Sequence, residues 1–200
     1  MPENRNPELL DYTPRFLDEA EADAALARIW RELDWEQREI TLFGRRVMQP
    51  RLIAWHGDSE AVYTYSSLTL RPLPWHPLLQ DLRERIEVRS GHRFNAVLAN
   101  AYRDGRDSMG WHADKEKGLG PQAVVASLSL GASRRFLLRP VRRLPGDQAG
   151  SFELNLESGS LLLMKAGCQQ RYQHAVPRTR RETGLRINLT YRWIVDQAPD

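Results

Sequence analysis

The 200-residue chain has a single cysteine, Cys168. An intramolecular disulfide is excluded, and a reducing compartment suits the composition. Long apolar runs are missing as well: no stretch approaches the roughly 18 residues a membrane span needs, and 28% of residues are charged against 41% hydrophobic. The opening MPENRNPELL has neither the basic start nor the apolar core of a secretory signal. The expectation is an intracellular protein with no membrane partner, cytoplasmic, or nuclear if the source is eukaryotic. Internal repeats and low-complexity tracts are absent too, and the length fits one domain able to bury a core without a structural metal.

Net charge is only +3, but it is unevenly spread. Residues 1–130 carry 17 Lys+Arg against 20 Asp+Glu, whereas residues 131–200 carry 12 against 6. The basic residues of the second part are almost all arginine, and several come in pairs: Arg134–Arg135, Arg142–Arg143 and Arg180–Arg181. Planar guanidinium forks match phosphate, so a polyanionic partner is one reading and a solvated basic surface the other.

Periodicity divides the chain. LDEAEADAALARIWREL predicts an amphipathic helix with Ala22, Leu26, Ile29, Trp30 and Leu33 on one stripe and acidic residues near its start. WHPLLQDLRERIEVRSG predicts a second, with Pro77 at its first position, Leu78, Leu79, Leu82 and Ile86 as its stripe, and Gly91 ending it. The first dozen residues and the final DQAPD read as loose. Beyond Gly91, FNAVLANAYR, AVVASLSL, RFLLR, SFELNL, SLLLMKA and LRINLTYRW read as short strands of an antiparallel sandwich or barrel. Between the helices, residues 40–77 mix strand-like pieces with turns, aromatics and arginines, predicting hairpins or loops that cover the mouth of that sandwich. In its last strand, Arg186, Asn188, Thr190 and Arg192 share one face, and Leu185, Ile187, Leu189 and Tyr191 the other. The polar face either lines a site or meets water.

Only five histidines are present. In WHADKE, His112 and Asp114 are two apart, so in an extended segment they point the same way. His174, in QRYQHAVP, supplies a third donor. Two imidazoles and one carboxylate on one octahedral face form the triad of non-haem iron(II) oxygenases, although zinc accepts the same ligands. A chelating keto acid such as 2-oxoglutarate would need a cation for its far carboxylate, and Arg186 and Arg192 lie on the strand that comes after His174. His56 and His76 lack ligand partners and read as packing or surface residues, Cys168 shows no sign of reactivity, and Trp193 is expected to pack at the end of the last strand.

The segments NAYRDGRDSMGWHADKE, ASLSLGASRRFLLR, GSLLLMKAGCQQRYQHAVP and RINLTYR together resemble the AlkB family of iron(II)/2-oxoglutarate dioxygenases, the direct-reversal DNA and RNA dealkylases. The likeness covers about residues 40–194 and is greatest to the branch that repairs double-stranded DNA. It implies a mainly β fold with flanking helices (α+β), a double-stranded β-helix or jelly-roll core carrying N-terminal helices and a nucleotide-recognition hairpin lid. The whole of 1–200 would be a single dioxygenase domain, 1–90 the helices and lid and 91–195 the catalytic core. By the same resemblance His112, Asp114 and His174 ligate Fe(II), and Asn100 and Tyr102 hydrogen-bond 2-oxoglutarate. Arg186 holds the distal carboxylate, Arg192 approaches the iron-bound end, and Asn188 and Thr190 complete that wall.

The implied reaction uses O2 to hydroxylate an N-methyl group, which leaves as formaldehyde while 2-oxoglutarate becomes succinate and CO2. The implied substrates are 1-methyladenine and 3-methylcytosine in alkylated DNA, both cationic. Glu116 falls where the family places an acidic residue beside the exocyclic amine, Tyr65 where an aromatic stacks on the flipped base, and Arg51 where a side chain faces the lesion. Phe43, in TLFGRR, falls where the duplex-acting branch inserts an aromatic into the vacated stack. Glu116, Tyr65 and Phe43 each have a plainer reading, as loop charge or packing residue. The arginine pairs are candidate phosphate contacts. The protein is expected to act as a monomer. Two alternatives stay open: the same chemistry on RNA, or a catalytically silent nucleic-acid binder on the same fold.

Overall fold

The computed structural model of the chain describes residues 8–42, 44–65, 68–115, 117–120, 122–142, 150–181 and 183–195. Its elements are β1 (Leu10–Thr13), α1 (Glu19–Glu32), β2 (Glu39–Leu42), β3 (Arg45–Met48), β4 (Leu52–Gly57), β5 (Tyr63–Tyr65), β6 (Leu68–Leu70), α2 (Pro77–Ser90), β7 (Ala96–Tyr102), β8 (Met109–His112), β9 (Val125–Gly131), β10 (Arg134–Pro140), β11 (Phe152–Leu156), β12 (Leu161–Met164), α3 (Cys168–Arg171), β13 (Tyr172–Val176) and β14 (Arg186–Arg192).

Both helices begin as their sequences dictate. Asp18 caps α1 by accepting from the main-chain N–H of Glu21 at 2.8 Å, and the Glu21 side chain accepts in return from that of Asp18. Its buried face is Ala22, Ala25 and Ile29. Trp30, expected on the stripe, is 40% exposed instead and tilts against Trp35 at 5.8 Å. The packed face is centred on Ala22, Ala25 and Ile29, and at about 100° per residue Trp30 falls at its edge. In α2, Pro77 occupies the first turn, Leu79, Leu82 and Ile86 are buried, and Gly91 ends the helix at φ 70°. The cap is His76: its Nδ1 accepts from Leu78 N at 3.2 Å, while Nε2 lies 3.0 Å from Glu32 Oε2 and links the two helices.

The strands form two antiparallel sheets that face each other. The larger has the order β1-β12-β9-β14-β7-β4 and the smaller β11-β10-β13-β8. Neighbours in space are seldom neighbours in sequence, the crossing pattern of a jelly roll. Leu10 to Tyr12, within the dozen residues expected to be loose, belong to the edge strand β1, which pairs with β12, so the large sheet draws on residues from the first ninety at both edges, β1 and β4. Two further pairs, β2–β3 and β5–β6, form separate two-stranded hairpins in the segment predicted to carry them.

Strand β14 lies at the centre of the large sheet, between β9 and β7, and all seven of its residues are buried. Ile187, Leu189 and Tyr191 join the α1 and α2 stripes in one apolar cluster, and the Tyr191 hydroxyl donates to Leu79 O at 2.9 Å. A strand buried on both faces, yet alternating in polarity, must place its polar face somewhere other than water. That face looks between the sheets.

Candidate active site

The pleat sets the wall of the site. Arg186 lies across from Tyr102 and Gly131, Asn188 from Asn100 and Ser129, and Thr190 from Leu98 and Ser127. Opposite, in the small sheet, His174 on β13 pairs with His112 on β8. Asn100, Tyr102, His112, Asp114, His174, Arg186, Asn188, Thr190 and Arg192, all the proposed metal and co-substrate residues, line one narrow cavity together with Met109, Phe136, Met164 and Val176.

His112, Asp114 and His174 each offer a donor atom within 4.8 Å of the others. His112 Nδ1 sits 2.9 Å from Gly110 O. A carbonyl only accepts, so in the neutral ring Nδ1 carries the proton and Nε2, 3.7 Å from Asp114 Oδ1, presents its lone pair. The His174 ring is 4.2 Å from that of His112, edge-on, and 5.2 Å from Phe136. Burial, reinforced by His112, pushes the pKa of His174 down to about 3, which keeps it a neutral ligand at physiological pH. Burial would raise the pKa of Asp114. The positive field of Arg192, with contributions from the two histidines, outweighs that and holds the carboxyl well below its ordinary value. Arg192 donates to Asp114 Oδ2 through Nη2 at 2.8 Å and Nε at 3.2 Å, so Oδ1 is the oxygen turned to the histidines.

The other end of the cavity is cationic. Arg186 is 1% exposed, and its Nη2 donates to Ser129 Oγ at 3.0 Å. Its Nε and Nη1 are buried and have no hydrogen-bond partner among the described residues. The Tyr102 ring lies 5.1 Å from the guanidinium carbon. Asn188 Nδ2 donates to Ser127 Oγ at 2.8 Å, and the Thr190 hydroxyl to Asn188 Oδ1 at 3.0 Å. A buried guanidinium with two orphaned donors is costly unless an anion meets it. A dicarboxylate chelating a metal at the triad would supply that anion, so the residues present fit both iron(II) and 2-oxoglutarate. Cys168, beside this site, is inert: burial and the nearby Asp114 push its thiol up to about 12.

The remaining predicted residues divide. Arg51, just before β4, is buried and donates through Nε to Asn100 Oδ1 at 2.8 Å, which ties the start of that strand to the co-substrate wall. Tyr65 ends β5, but its side chain lies outside what is described, and Phe43 and Glu116 are outside the described residues altogether. The hairpin that would carry Phe43 presents Arg45, Arg46, Val47 and Met48, all exposed. A groove of about 900 Å³ runs beside it, between Met48 and Pro50, the Arg103–Asp107 turn and Arg178–Arg180.

Two expectations are corrected. Arg134 is not a surface contact: it is 4% exposed and donates to the carbonyls of Asp104, Asp107 and Pro177 at 3.1, 2.9 and 2.7 Å. Adjacent residues of a strand face opposite ways, so one arginine of a pair on β10 had to point inward. Trp193 does not pack away at the strand end but is 49% exposed. One residue was missed, Gln169, whose buried side chain binds the main chain of Asp114; nothing in the local pattern marks it.

Residues 10–192 match the family model described as the 2OG-Fe(II) oxygenase superfamily. The chain is 40% identical over 188 residues to human "Alpha-ketoglutarate-dependent dioxygenase alkB homolog 3", covering 90% of this chain and 64% of that protein. It is 38% identical over 195 residues to mouse "DNA oxidative demethylase ALKBH2", covering 92% and 80%. It thus spans just under two thirds of the length of alkB homolog 3 and most of ALKBH2. The solved structure of OsALKBH1 superposes with a TM-score of 0.64 at 16% identity, covering 92% of this chain and 97% of that one, a likeness of fold alone. The chain belongs to the 2OG-Fe(II) oxygenase superfamily, within its AlkB family.

Proposed function

We propose that this protein is an iron(II)/2-oxoglutarate-dependent dioxygenase that demethylates alkylated DNA bases. The observation that carries this reading is the single cavity with a His-Asp-His donor set at one end and the orphaned Arg186 guanidinium at the other. Iron(II), O2 and 2-oxoglutarate would supply the oxidising power to hydroxylate an N-methyl C–H bond, with succinate, CO2 and formaldehyde as products. The protein's part is positional. Arg186 would hold the far carboxylate, with Tyr102 and Asn100 beside it, and Asn188 and Thr190 hold that wall through Ser127. Arg192 keeps Asp114 ionised. Phe136, Met109 and Val176 keep the space beside the metal ligands apolar, which limits water there.

The substrate is read as DNA carrying 1-methyladenine or 3-methylcytosine. Relatives named as a DNA oxidative demethylase and as an alkB homolog support nucleic acid as the polymer. Arg45 and Arg46 on the exposed hairpin and Arg178 and Arg180 across the groove are suited to phosphates. A lesion must leave the stack to enter so narrow a cavity. In this reading Tyr65 stacks on it, Arg51 and Glu116 face it, and Phe43 fills the gap it leaves; a single domain acting as a monomer, with residues 1–90 forming the helices and lid, is sufficient. RNA is the second reading, and the AlkB relatives do not separate it from the first.

Mass measurement of oligonucleotides bearing 3-methylcytosine, single- and double-stranded, after incubation with iron(II), ascorbate and 2-oxoglutarate tests this. Restoration of the unmodified base is expected. Turnover confined to methylated RNA would replace DNA as the substrate, and no uncoupled or coupled succinate formation would overturn the enzyme reading. Phe43→Ala is expected to slow duplex substrates more than single strands; equal loss would remove the wedge.

A further inference from the structure

Asp114 is fixed at both ends. Its carboxylate meets Arg192, and its main-chain N–H donates to Gln169 Oε1 at 2.9 Å across 55 residues of sequence. Gln169 is 2% exposed and sits in α3, the single helical turn that leads directly into β13 and His174. Its Nε2 faces Met164 Sδ at 3.5 Å. The orientation of this amide is set by chemistry: a main-chain N–H can only donate, so Oε1 must face Asp114. A thioether is a weak acceptor, so the strong bond of the side chain is the one to Asp114.

The three ligands are not held alike. His174 lies inside β13, paired to Leu138 on one side and His112 on the other. His112 is the last residue of β8. Asp114 lies beyond the end of that strand, in irregular chain, where no ladder fixes its backbone. A metal ligand on unladdered backbone can swing, and the cost of ordering it would fall on metal binding.

We propose that Gln169 is a positioning residue for Asp114, tying the loop that carries it to the segment that carries His174. The three donors then keep their spacing before an ion arrives. Gln169 is not among the residues that line the cavity. The proposal rests on the metal reading of the triad, and its test reads metal binding alone, with no nucleic acid and no turnover.

Gln169→Met keeps the length and volume but removes the acceptor; Gln169→Glu keeps an acceptor oxygen. Each is titrated with Co(II) against a competing chelator, following the d–d absorption of the bound ion, beside wild type and Asp114→Ala. The Met variant is expected to bind about 10- to 100-fold more weakly, the range for lost outer partners of metal ligands, with a shifted d–d band and a metal-free melting temperature close to wild type. The Glu variant is expected to recover most of the affinity and the band. Wild-type affinity and spectrum in Gln169→Met would overturn the proposal, as would a loss that Gln169→Glu fails to recover. Should Gln169→Met not fold, Gln169→Asn, which withdraws the amide by one methylene, replaces it and must show the same weakening. Absence of Co(II) binding by wild type would instead sink the metal reading itself.

Discussion

Arginines stand on strands in two very different parts of this molecule. On β14, Arg186 and Arg192 are 1% and 4% exposed. On the β2–β3 hairpin, Arg45 and Arg46 are exposed, and the nearest ion pair of Arg46, to Glu39 at 3.7 Å, has both side chains half or more in solvent. Residue type and backbone are the same, but the consequences differ. An interior guanidinium must be matched group by group, because the desolvation penalty of an unmatched charge is several kcal/mol. It therefore specifies its partner: Arg192 is matched by Asp114, whereas Arg186 meets Ser129 through Nη2 and has no carboxylate partner among the described residues. An exterior arginine is satisfied by water and specifies only a field, which salt screens.

The sharpest way to break the interior pattern is Asp114→Ala. It removes a metal ligand and the carboxylate that two nitrogens of Arg192 meet. Co(II) binding and demethylation are expected to vanish, and urea titration of the metal-free protein should show a loss of about 3–5 kcal/mol, as for a buried pair stripped of one partner. Turnover near wild type would show that the triad is not the metal site.

Arg186→Lys separates the two ends of the cavity. Lysine keeps the charge but loses the fork, so the 2-oxoglutarate concentration for half-maximal succinate formation is expected to rise by roughly 10- to 100-fold, from the loss of a charge-assisted bidentate contact worth about 1.5–3 kcal/mol. Co(II) affinity without co-substrate should stay within a few-fold of wild type. Equal weakening of both would mean that Arg186 supports the triad rather than the co-substrate.

That interior logic is also why much of the site was legible in the sequence. Alternation along residues 186–192 placed four polar side chains on one face and left open whether that face met water; the central position of β14 in the large sheet turns it inward. The His112-x-Asp114 spacing marked two of the donors, but Asp114 lies in irregular chain beyond β8, and His174 reaches them through the β13–β8 pairing. What could not be read was anything set by contacts across the fold. Arg134 looks like Arg135 in sequence, but one satisfies three carbonyls and the other meets Glu153 at the surface. Gln169 reaches Asp114 over 55 residues, and His76 caps α2 while touching Glu32 of α1. Trp30 fell on the predicted stripe but lies beyond the narrow face that two alanines define. Polarity patterns reveal which side a residue faces; they do not reveal which partner completes it.

Buried histidines extend the contrast to pH. His56 on β4 is buried, with Nδ1 2.7 Å from Pro74 O and Nε2 without a partner among the described residues. Burial lowers its pKa from the ordinary 6.5, and burial lowers that of His174 too, to about 3. When the folded-state pKa lies below the unfolded one, the unfolded chain takes up the proton first, so stability is lost as pH falls from about 6.5 toward the folded value. Metal-free protein should therefore show a falling urea midpoint between pH 7.5 and pH 5. His56→Asn, which keeps a donor for Pro74 O and removes the titrating ring, should fall less over that window. An unchanged slope would mean that His56 reaches water.

The smallest effect expected on the fold, and the one that bounds the comparison from outside, comes from Arg46→Ala. The side chain is 81% exposed in a two-stranded hairpin, so stability should move by no more than about 0.5 kcal/mol and the 2-oxoglutarate requirement not at all. If Arg46 meets a phosphate, binding of a DNA duplex should weaken alike for methylated and unmethylated sequences, and the slope of log affinity against log salt should fall by roughly one. A loss selective for the methylated base would place Arg46 with the interior arginines, as a residue that recognises a particular group. A uniform, salt-dependent loss would keep it where its exposure puts it, contributing a field and no specificity.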